Sequence, residues 1–88
     1  MAEIQIYGQA YQSPGDGGDV ESSIEISNEE LEEIQDIADE KGVSINDLDY
    51  DSLPDNIQQR MKEELDSDWG YVDGETWQTF VNGFSISK

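Results

Sequence analysis

The sequence predicts a small α+β domain in which an antiparallel sheet carries two helices packed on one face. Near both ends of the chain apolar and polar residues alternate, whereas in the middle the apolar residues recur at helical spacing behind helix-start signals. Elements that each have one apolar face bury it by packing into layers. Because a chain of 88 residues buries only about 60 to 65% of its unfolded surface, we expect one domain over residues 1–88.

The first 26 residues predict a β-hairpin. Residues 3–11 place Ile, Gly and Ala on one side and Gln and Tyr on the other, and residues 20–26 alternate Val, Ser and Ile with Glu and Ser. A period of two is typical of strands that bury one face. Residues 13–19 are rich in Gly, Asp and Pro, which favours a loop. We expect two antiparallel strands joined by this loop.

A capping box marks the start of the first helix, which is predicted over residues 28–41. The Ser27 hydroxyl can accept a hydrogen bond from the Glu30 amide, while the Glu30 carboxylate reaches back to the Ser27 amide. Lys41 followed by Gly42 supplies a basic last turn and a left-handed stop. The apolar stripe of this helix consists of Leu31, Ile34, Ile37 and Ala38.

The second helix is predicted over residues 53–66. Ser52 precedes Leu53 and Pro54, which is typical of a cap followed by a proline in the first turn. The connector before it has the pattern of a short helical turn near residues 45–48. Along the second helix, apolar residues recur every four positions, at Ile57, Met61 and Leu65.

The C-terminal segment predicts further strands within residues 70–87. Five of the eight aromatic residues lie in the last 20 positions, and both Asp73-Gly74 and Asn82-Gly83 are favoured two-residue hairpin turns. The alternative is a short helix, because the aromatic spacing between residues 77 and 84 also fits a helical period. We favour strands, since alternation continues to the end of the segment.

The acidic excess is the strongest chemical signal in the sequence. Twenty-two acids against four bases, with no histidine, set a formal net charge of −18. Polyanions repel such a chain, so we expect no direct contact with nucleic acid or with an anionic membrane. The absence of cysteine and histidine removes the thiolate and imidazole groups that serve as ligands, bases and nucleophiles. We therefore expect no enzyme activity, no metal ligand and no cofactor.

No segment predicts export or membrane insertion. No apolar run approaches the roughly 18 residues of a membrane span. The first residues, MAEIQIYGQ, lack the basic and apolar regions of a signal peptide. We expect a cytoplasmic protein.

Two groups of acids have the composition of a calcium site or an acid–base pair, but their spacing does not fit either. Residues 47–55 carry four aspartates like a calcium loop, but the positions that an EF-hand fills with Gly and Glu hold Ser52 and Gln58. Weak calcium binding there is kept as an alternative. Adjacent acids such as Glu63 and Glu64 do not face each other on a helix, so we expect no acid–base pair.

The acids of the first predicted helix recur with the spacing of phosphates. One row runs through Glu29, Glu33, Asp36 and Glu40, and Glu32 and Asp39 widen it. Successive carboxylates in a row step by roughly 5 to 6 Å, close to the roughly 6 to 7 Å between successive phosphates of a nucleic acid. The predicted partner-binding residues are Glu29, Glu30, Glu32, Glu33, Asp36, Asp39, Glu40, Asp47, Asp49, Tyr50, Asp51 and Asp55. We expect Tyr50 and Leu53 to supply apolar contacts.

Two stretches of this surface, SNEELEEIQDIADEKG and NDLDYDSLPDN, combine dense acidity with small size and no catalytic residue. In these respects the chain resembles the phage-encoded DNA-mimic inhibitors of host defence enzymes, the anti-CRISPR and anti-restriction proteins. The resemblance covers composition and residues 27–68 and includes no diagnostic motif. It implies a stoichiometric inhibitor in the host cell cytoplasm, which occupies the nucleic-acid site of a CRISPR effector or a restriction enzyme.

Two other interpretations stay open. An acidic surface is often only a solvated face, and proteins of high-salt cytoplasm carry an acid excess throughout. Alternatively, the chain is an adaptor or structural protein that binds through an aromatic sheet edge, while its acidity keeps it dissolved. That edge would consist of Tyr7, Tyr11, Trp69, Tyr71 and Trp77.

Overall fold

A computed structural model describes residues 2–13 and 16–87. In chain order the elements are β1 (Ala2–Ser13), β2 (Asp16–Ile26), α1 (Asn28–Lys41), α2 (Asp55–Trp69), β3 (Tyr71–Val72), β4 (Glu75–Thr76) and β5 (Gln78–Ser87). Two 3₁₀ turns, Ile45–Asp47 and Tyr50–Ser52, connect the helices. The architecture is the expected α+β fold, with helices on one face of an antiparallel sheet.

The central sheet has three antiparallel strands in the order β2-β1-β5. Ile4 of β1 lies opposite Ile24 on one side and Ile86 on the other, so the three strands bury the same face. The predicted hairpin is confirmed, but its loop is shorter than residues 13–19. β2 begins at Asp16, because backbone pairing needs no side chain and therefore continues through the two glycines that follow. The rest of the predicted loop, at residues 14 and 15, lies outside the described residues.

The first helix follows its prediction at both ends. The Ser27 hydroxyl accepts a hydrogen bond from the Glu30 amide at 3.1 Å, and Glu30 accepts one from the Ser27 amide at 2.9 Å. The helix ends at Gly42, which has a left-handed conformation. Ile34 and Ala38 are its fully buried residues, and they join the core that forms against the isoleucines of β1 and β2.

The second helix begins later than expected. Leu53 is extended, with φ −73° and ψ 155°, because the ring of a following proline excludes the helical region for the residue before it. Pro54 is therefore the N-cap and Asp55 the first helical residue, and Ser52 belongs to a 3₁₀ turn. The helix also continues to Trp69, beyond the predicted end at 66. Its stripe of Ile57, Met61 and Leu65 is fully buried, as expected.

The C-terminal segment forms strands, which confirms the preference over a helix. Asp73 and Gly74, with φ of 53° and 83°, make the two-residue turn between β3 and β4. The second predicted turn, at Asn82-Gly83, is wrong. β5 continues as a strand through both residues instead of turning. The register shift between Tyr7 and Gly8 leaves Asn82 as the extra residue of a β-bulge.

The bulge depends on a close approach at Gly8. A Cβ atom there would collide with the carbonyl oxygen of Phe80 and would lie 2.9 Å from Cδ2 of Leu65. Only glycine therefore allows β1, β5 and α2 to meet at this point. The long pairing edge of β1 keeps β5 extended to Ser87 instead of letting it turn back at residues 82–83.

Side chains cover both outer edges of the sheet. Arg60 and Trp69 of α2 donate to the carbonyl oxygens of Glu25 and Glu21 in β2, at 2.5 and 2.9 Å. On β5, the Asn46 amide accepts from the Ile86 N–H at 2.7 Å and donates to the Ile86 carbonyl at 3.3 Å. Such contacts occupy groups that would otherwise pair with another strand. Among the described residues, no helix is both long enough and apolar enough to cross a membrane.

Candidate functional site

The acids of α1 lie on the side of the helix that faces away from the sheet. Ile34 and Ala38 turn toward the core, so the residues on the opposite side of the helix, which has 3.6 residues per turn, point outward. Six of the seven acids of α1 are exposed: Glu29, Glu32, Glu33, Asp36, Asp39 and Glu40. The predicted row is therefore a continuous outward-facing strip, which we call the α1 acidic surface.

Glu30 is the exception among the predicted residues of α1. Its carboxylate accepts from the Ser27 amide and pairs with Arg60, whose Nη1 lies 2.6 Å from Oε2 of Glu30. The Ser27 hydrogen bond lowers the pKa of Glu30, and Arg60 adds to this effect against an opposing contribution from burial. The negative charge of Glu30 is thus paired with Arg60 within the fold, and we leave Glu30 out of the α1 acidic surface.

Four further predicted acids lie between the helices and at the start of α2. Asp47, Asp49, Asp51 and Asp55 are all exposed. A shallow depression of about 390 Å³ separates α1 from the start of α2, and its lining includes Glu33, Asp36, Pro54 and Asn56. The middle of the α1 acidic surface therefore borders the segment that carries Asp55.

Tyr50 and Leu53 are less accessible than the sequence suggests. Leu53 is 3% exposed and belongs to the core, so it supplies no contact to a partner. Tyr50 is half-buried, and its hydroxyl donates to the Gln58 carbonyl at 2.8 Å. Burial raises the pKa of Tyr50, and the charge of Asp51 raises it further. Only part of the Tyr50 ring is available beside the connector acids.

Two carboxylates of α2, those of Asp66 and Asp68, bond to the sheet. Asp66 accepts from the Thr79 hydroxyl and from Lys62, at 3.2 Å from Nζ, and Asp68 accepts from the Ser22 hydroxyl. Within residues 2–13 and 16–87, no three acids come close enough to hold a metal ion. Residues 47–55 thus contribute to no such group, and Asp66 and Asp68 act as structural acceptors.

A second surface lies on the sheet face opposite the helices. Tyr7 and Phe80 are 40% and 45% exposed there, and Tyr11 stacks on Phe80 with ring centroids 5.2 Å apart. We call these three rings the open aromatic face. Phe80 was missed by sequence reasoning, although it alternates with the buried Thr79 and therefore had to face outward.

The predicted aromatic edge is divided between the two sides of the sheet. Trp69 and Trp77 lie on the helix side, where they line one cavity with Ala10 and Val20. Tyr71, at 68% exposure, stands in the β3–β4 hairpin. The five residues expected to form one edge therefore do not share a surface.

Comparison with known proteins finds no relative of this chain: no protein-family model matches it, and neither a curated protein nor a solved structure is significantly similar to it.

Proposed function

We propose that this protein is a non-enzymatic inhibitor whose α1 acidic surface occupies a basic nucleic-acid-binding site of another protein, in the manner of a DNA mimic. The observation that carries the proposal is the set of exposed acids on α1 that have no cationic partner among the described residues. The two ion pairs found in that part of the chain involve Glu30 and Asp66, neither of which belongs to the surface.

Folding by itself gives no reason for such a surface. Like charges four positions apart on a helix destabilise it by a few tenths of a kcal/mol each, and acids near its C-terminus oppose the helix dipole. Both costs apply to α1. Glu33 and Asp36 lie together at the edge of one depression, and Asp39 and Glu40 lie in the last turn of the helix. A cationic partner would offset these costs on binding, and a groove built for a phosphate backbone presents such cations.

The class of target follows from the resemblance to phage-encoded inhibitors, which implies a CRISPR effector or a restriction enzyme. These nucleases hold nucleic acid through lysine and arginine side chains. Exposed ion pairs contribute only about 0 to 1 kcal/mol each, so binding at physiological salt also requires contacts that exclude water. The accessible part of the Tyr50 ring would provide such a contact.

The test is capture of a partner from a bacterial lysate by a variant of α1 and a variant of β2. Reversal of Glu29, Glu33, Asp36 and Glu40 to Lys should abolish capture, and added double-stranded DNA should displace the partner from the wild-type protein. The control is a double variant of exposed acids on β2, Glu21→Gln with Glu25→Gln, which should capture the same partner. Equal capture by the Lys variant, or no competition by DNA, would contradict the proposal.

Association kinetics with that partner sharpen the test. Electrostatic steering predicts that Glu33→Gln with Asp36→Asn slows association about tenfold at low salt, and that the difference shrinks as salt screens the charges. The β2 control should change the association rate far less, although it removes the same charge. An association rate that ignores both salt and the α1 substitutions would exclude phosphate mimicry.

The open aromatic face supports a second candidate, an adaptor that binds a protein through the sheet. Stacked, half-exposed rings on an uncovered sheet face are typical of interface centres. The variant Tyr7→Ser with Phe80→Ser separates the two candidates, because it should abolish capture only if this face makes the contact. The α1 reversal should then leave capture intact.

A further inference from the structure

The sheet face opposite the helices carries charge of one sign. The register places the odd-numbered residues 3–11 of β1 on this face, together with their partners in β2 and β5. Its charged residues, within the described part of these strands, are four exposed acids: Glu3, Asp19, Glu21 and Glu25. Glu3 lies directly opposite Glu25, and like charges in opposite positions destabilise a sheet. Folding alone therefore does not favour these charges, and a cationic partner would offset them.

Tyr7 lies at the centre of this face, between a carboxylate and an empty position. On the β2 side its partner is Glu21. The Glu21 carbonyl points away from β1, toward Trp69, so Tyr7 and Glu21 form a non-hydrogen-bonded pair, whose side chains are the closer kind. On the β5 side the partner is Gly83, and a Cβ atom built there meets no atom within 4 Å. The Tyr7 ring, 40% exposed, is therefore accessible beside an exposed carboxylate.

Tyr7 differs from Phe80, the other half-exposed ring of the face, in its distance from the cations of the chain. Nζ of Lys62 lies 5.8 Å from the centroid of the Phe80 ring, where it also bonds to Asp66 and Thr79. Among the described residues, no lysine or arginine lies over the ring of Tyr7. Tyr7 and Glu21 are thus the part of the face that is left for a cation from outside the chain.

The chemistry of the face distinguishes three classes of ligand. Exposed rings on a sheet can stack nucleic-acid bases, but phosphates need cations nearby and the four acids repel them. A neutral ligand leaves the carboxylates without a counterion. A guanidinium group fits both components, because its plane stacks on an aromatic ring while its N–H groups bond to a carboxylate. The ammonium of lysine has no plane to stack.

We propose that Tyr7, Glu21 and the space beside Gly83 form a binding site for an arginine side chain of a partner protein. The aliphatic stem crosses Gly83, the guanidinium stacks on the Tyr7 ring, and its N–H groups donate to the Glu21 carboxylate. The proposal names the partner chemistry of the adaptor candidate and rests on that candidate function. The α1 acidic surface has no part in it.

The experiment titrates the intact chain with three peptides of equal length, at about 0.15 M salt so that long-range attraction to the net charge is screened. Each peptide alternates glycine with two copies of one residue, which is arginine, lysine or citrulline, the neutral analogue of arginine. NMR follows the ring resonances of Tyr7 and the backbone amide of Glu21. The arginine peptide should shift both saturably, with a dissociation constant of about millimolar order, because each exposed contact is weak. The lysine peptide should bind about threefold more weakly, and the citrulline peptide should not shift them.

The variant Gly83→Val tests the empty position. It places a side chain in the space beside Tyr7, at a position where the Cβ atom meets no other atom within 4 Å, and it should abolish the shift caused by the arginine peptide. The control is Gly18→Val, the same substitution on the covered face, where the Cβ position is also open. This control should leave the shift unchanged.

Two matched pairs of variants test the ring and the carboxylate. Tyr7→Leu should weaken binding of the arginine peptide about threefold and remove its advantage over the lysine peptide, with the Glu21 amide as the signal. Tyr71→Leu, which changes an exposed tyrosine of the β3–β4 hairpin, should have no effect. Glu21→Gln should weaken binding about threefold, whereas Glu32→Gln, which removes an equal charge from α1, should not.

Three results would overturn the proposal. They are binding of the lysine or citrulline peptide as tightly as the arginine peptide, equal losses in Tyr7→Leu and Tyr71→Leu, and undiminished binding by Gly83→Val in a folded protein. If Gly83→Val fails to fold, the two tyrosine variants decide the question. The adaptor candidate fails separately, if Tyr7→Ser with Phe80→Ser leaves capture of a partner intact, whereas the arginine site fails if the Tyr7 resonances do not respond to the arginine peptide.

Discussion

The two helices are both acidic, yet they use their charges differently. α1 carries seven acids and α2 five. On α2 the charged side chains of Arg60, Lys62, Asp66 and Asp68 all bond to the sheet or to α1. On α1 only Glu30 has such a role, and six exposed acids remain. Two of the five acids of α2 therefore attach that helix to the sheet, whereas six of the seven acids of α1 stay exposed.

This difference also separates stability from function within one small domain. The polar bonds of α2 are long-range contacts, such as that of Asp68 with Ser22 and that of Asp66 with Thr79. The α1 acidic surface makes no comparable contact among the described residues. Substitutions on α2 should therefore change folding, while substitutions on α1 should change binding with little loss of stability.

The largest expected effect comes from removing the acids of α2. Asp66→Ala with Asp68→Ala leaves the hydroxyls of Thr79 and Ser22, both buried, without their acceptors. Each such loss costs about 1 to 3 kcal/mol, so the free energy of unfolding should fall by about 2 to 6 kcal/mol in urea denaturation.

The matched change on α1 is expected to act in the opposite direction. Glu33→Ala with Asp36→Ala removes the same charge but no hydrogen bond among the described residues, and alanine favours the helix. The free energy of unfolding should rise by about 0.5 kcal/mol. A loss on α1 as large as that on α2 would show that the two helices do not differ as described.

Salt should produce the next largest effect. Self-repulsion among the acids is screened as the Debye length falls from about 30 Å at 0.01 M to about 10 Å at 0.1 M salt. The melting temperature should therefore increase over this range, by a few degrees, and increase less for the α1 double alanine variant. A melting temperature that falls on adding salt would contradict this account.

The smallest expected effect is the pH dependence of the Glu30 ion pair. The pKa of Glu30 is lowered by the Ser27 amide and by Arg60, so the charged form stabilises the fold above the ordinary carboxyl pKa of 4.5 and the benefit is lost as pH falls through the lowered value. Glu30→Gln should be less stable than wild type at pH 7, by less than about 1 kcal/mol. The difference should disappear in strong acid, where Glu30 is protonated.

Local patterns in the sequence were enough to predict most elements. The Ser27–Glu30 capping box, the alternation of β1 and β2, and the stripe of Met61 and its neighbours involve residues within one or two turns of each other. Their geometry is determined by neighbouring residues, so spacing alone identifies them. The exposure of the α1 acids follows for the same reason, because the helix stripe that faces the core leaves them outside.

Contacts between distant segments could not be predicted in this way. The bulge at Asn82 depends on the close approach of Gly8 to β5, and the assignment of Asp66 and Asp68 to structural bonds depends on where α2 crosses the sheet. The cavity that Trp69 and Trp77 line likewise depends on β1, the start of β2, the end of α2 and β3 coming together. The sequence by itself predicted most of the helices and strands. The tertiary structure decided which charges are satisfied and which surfaces stay open, because those depend on the register between segments far apart in the chain.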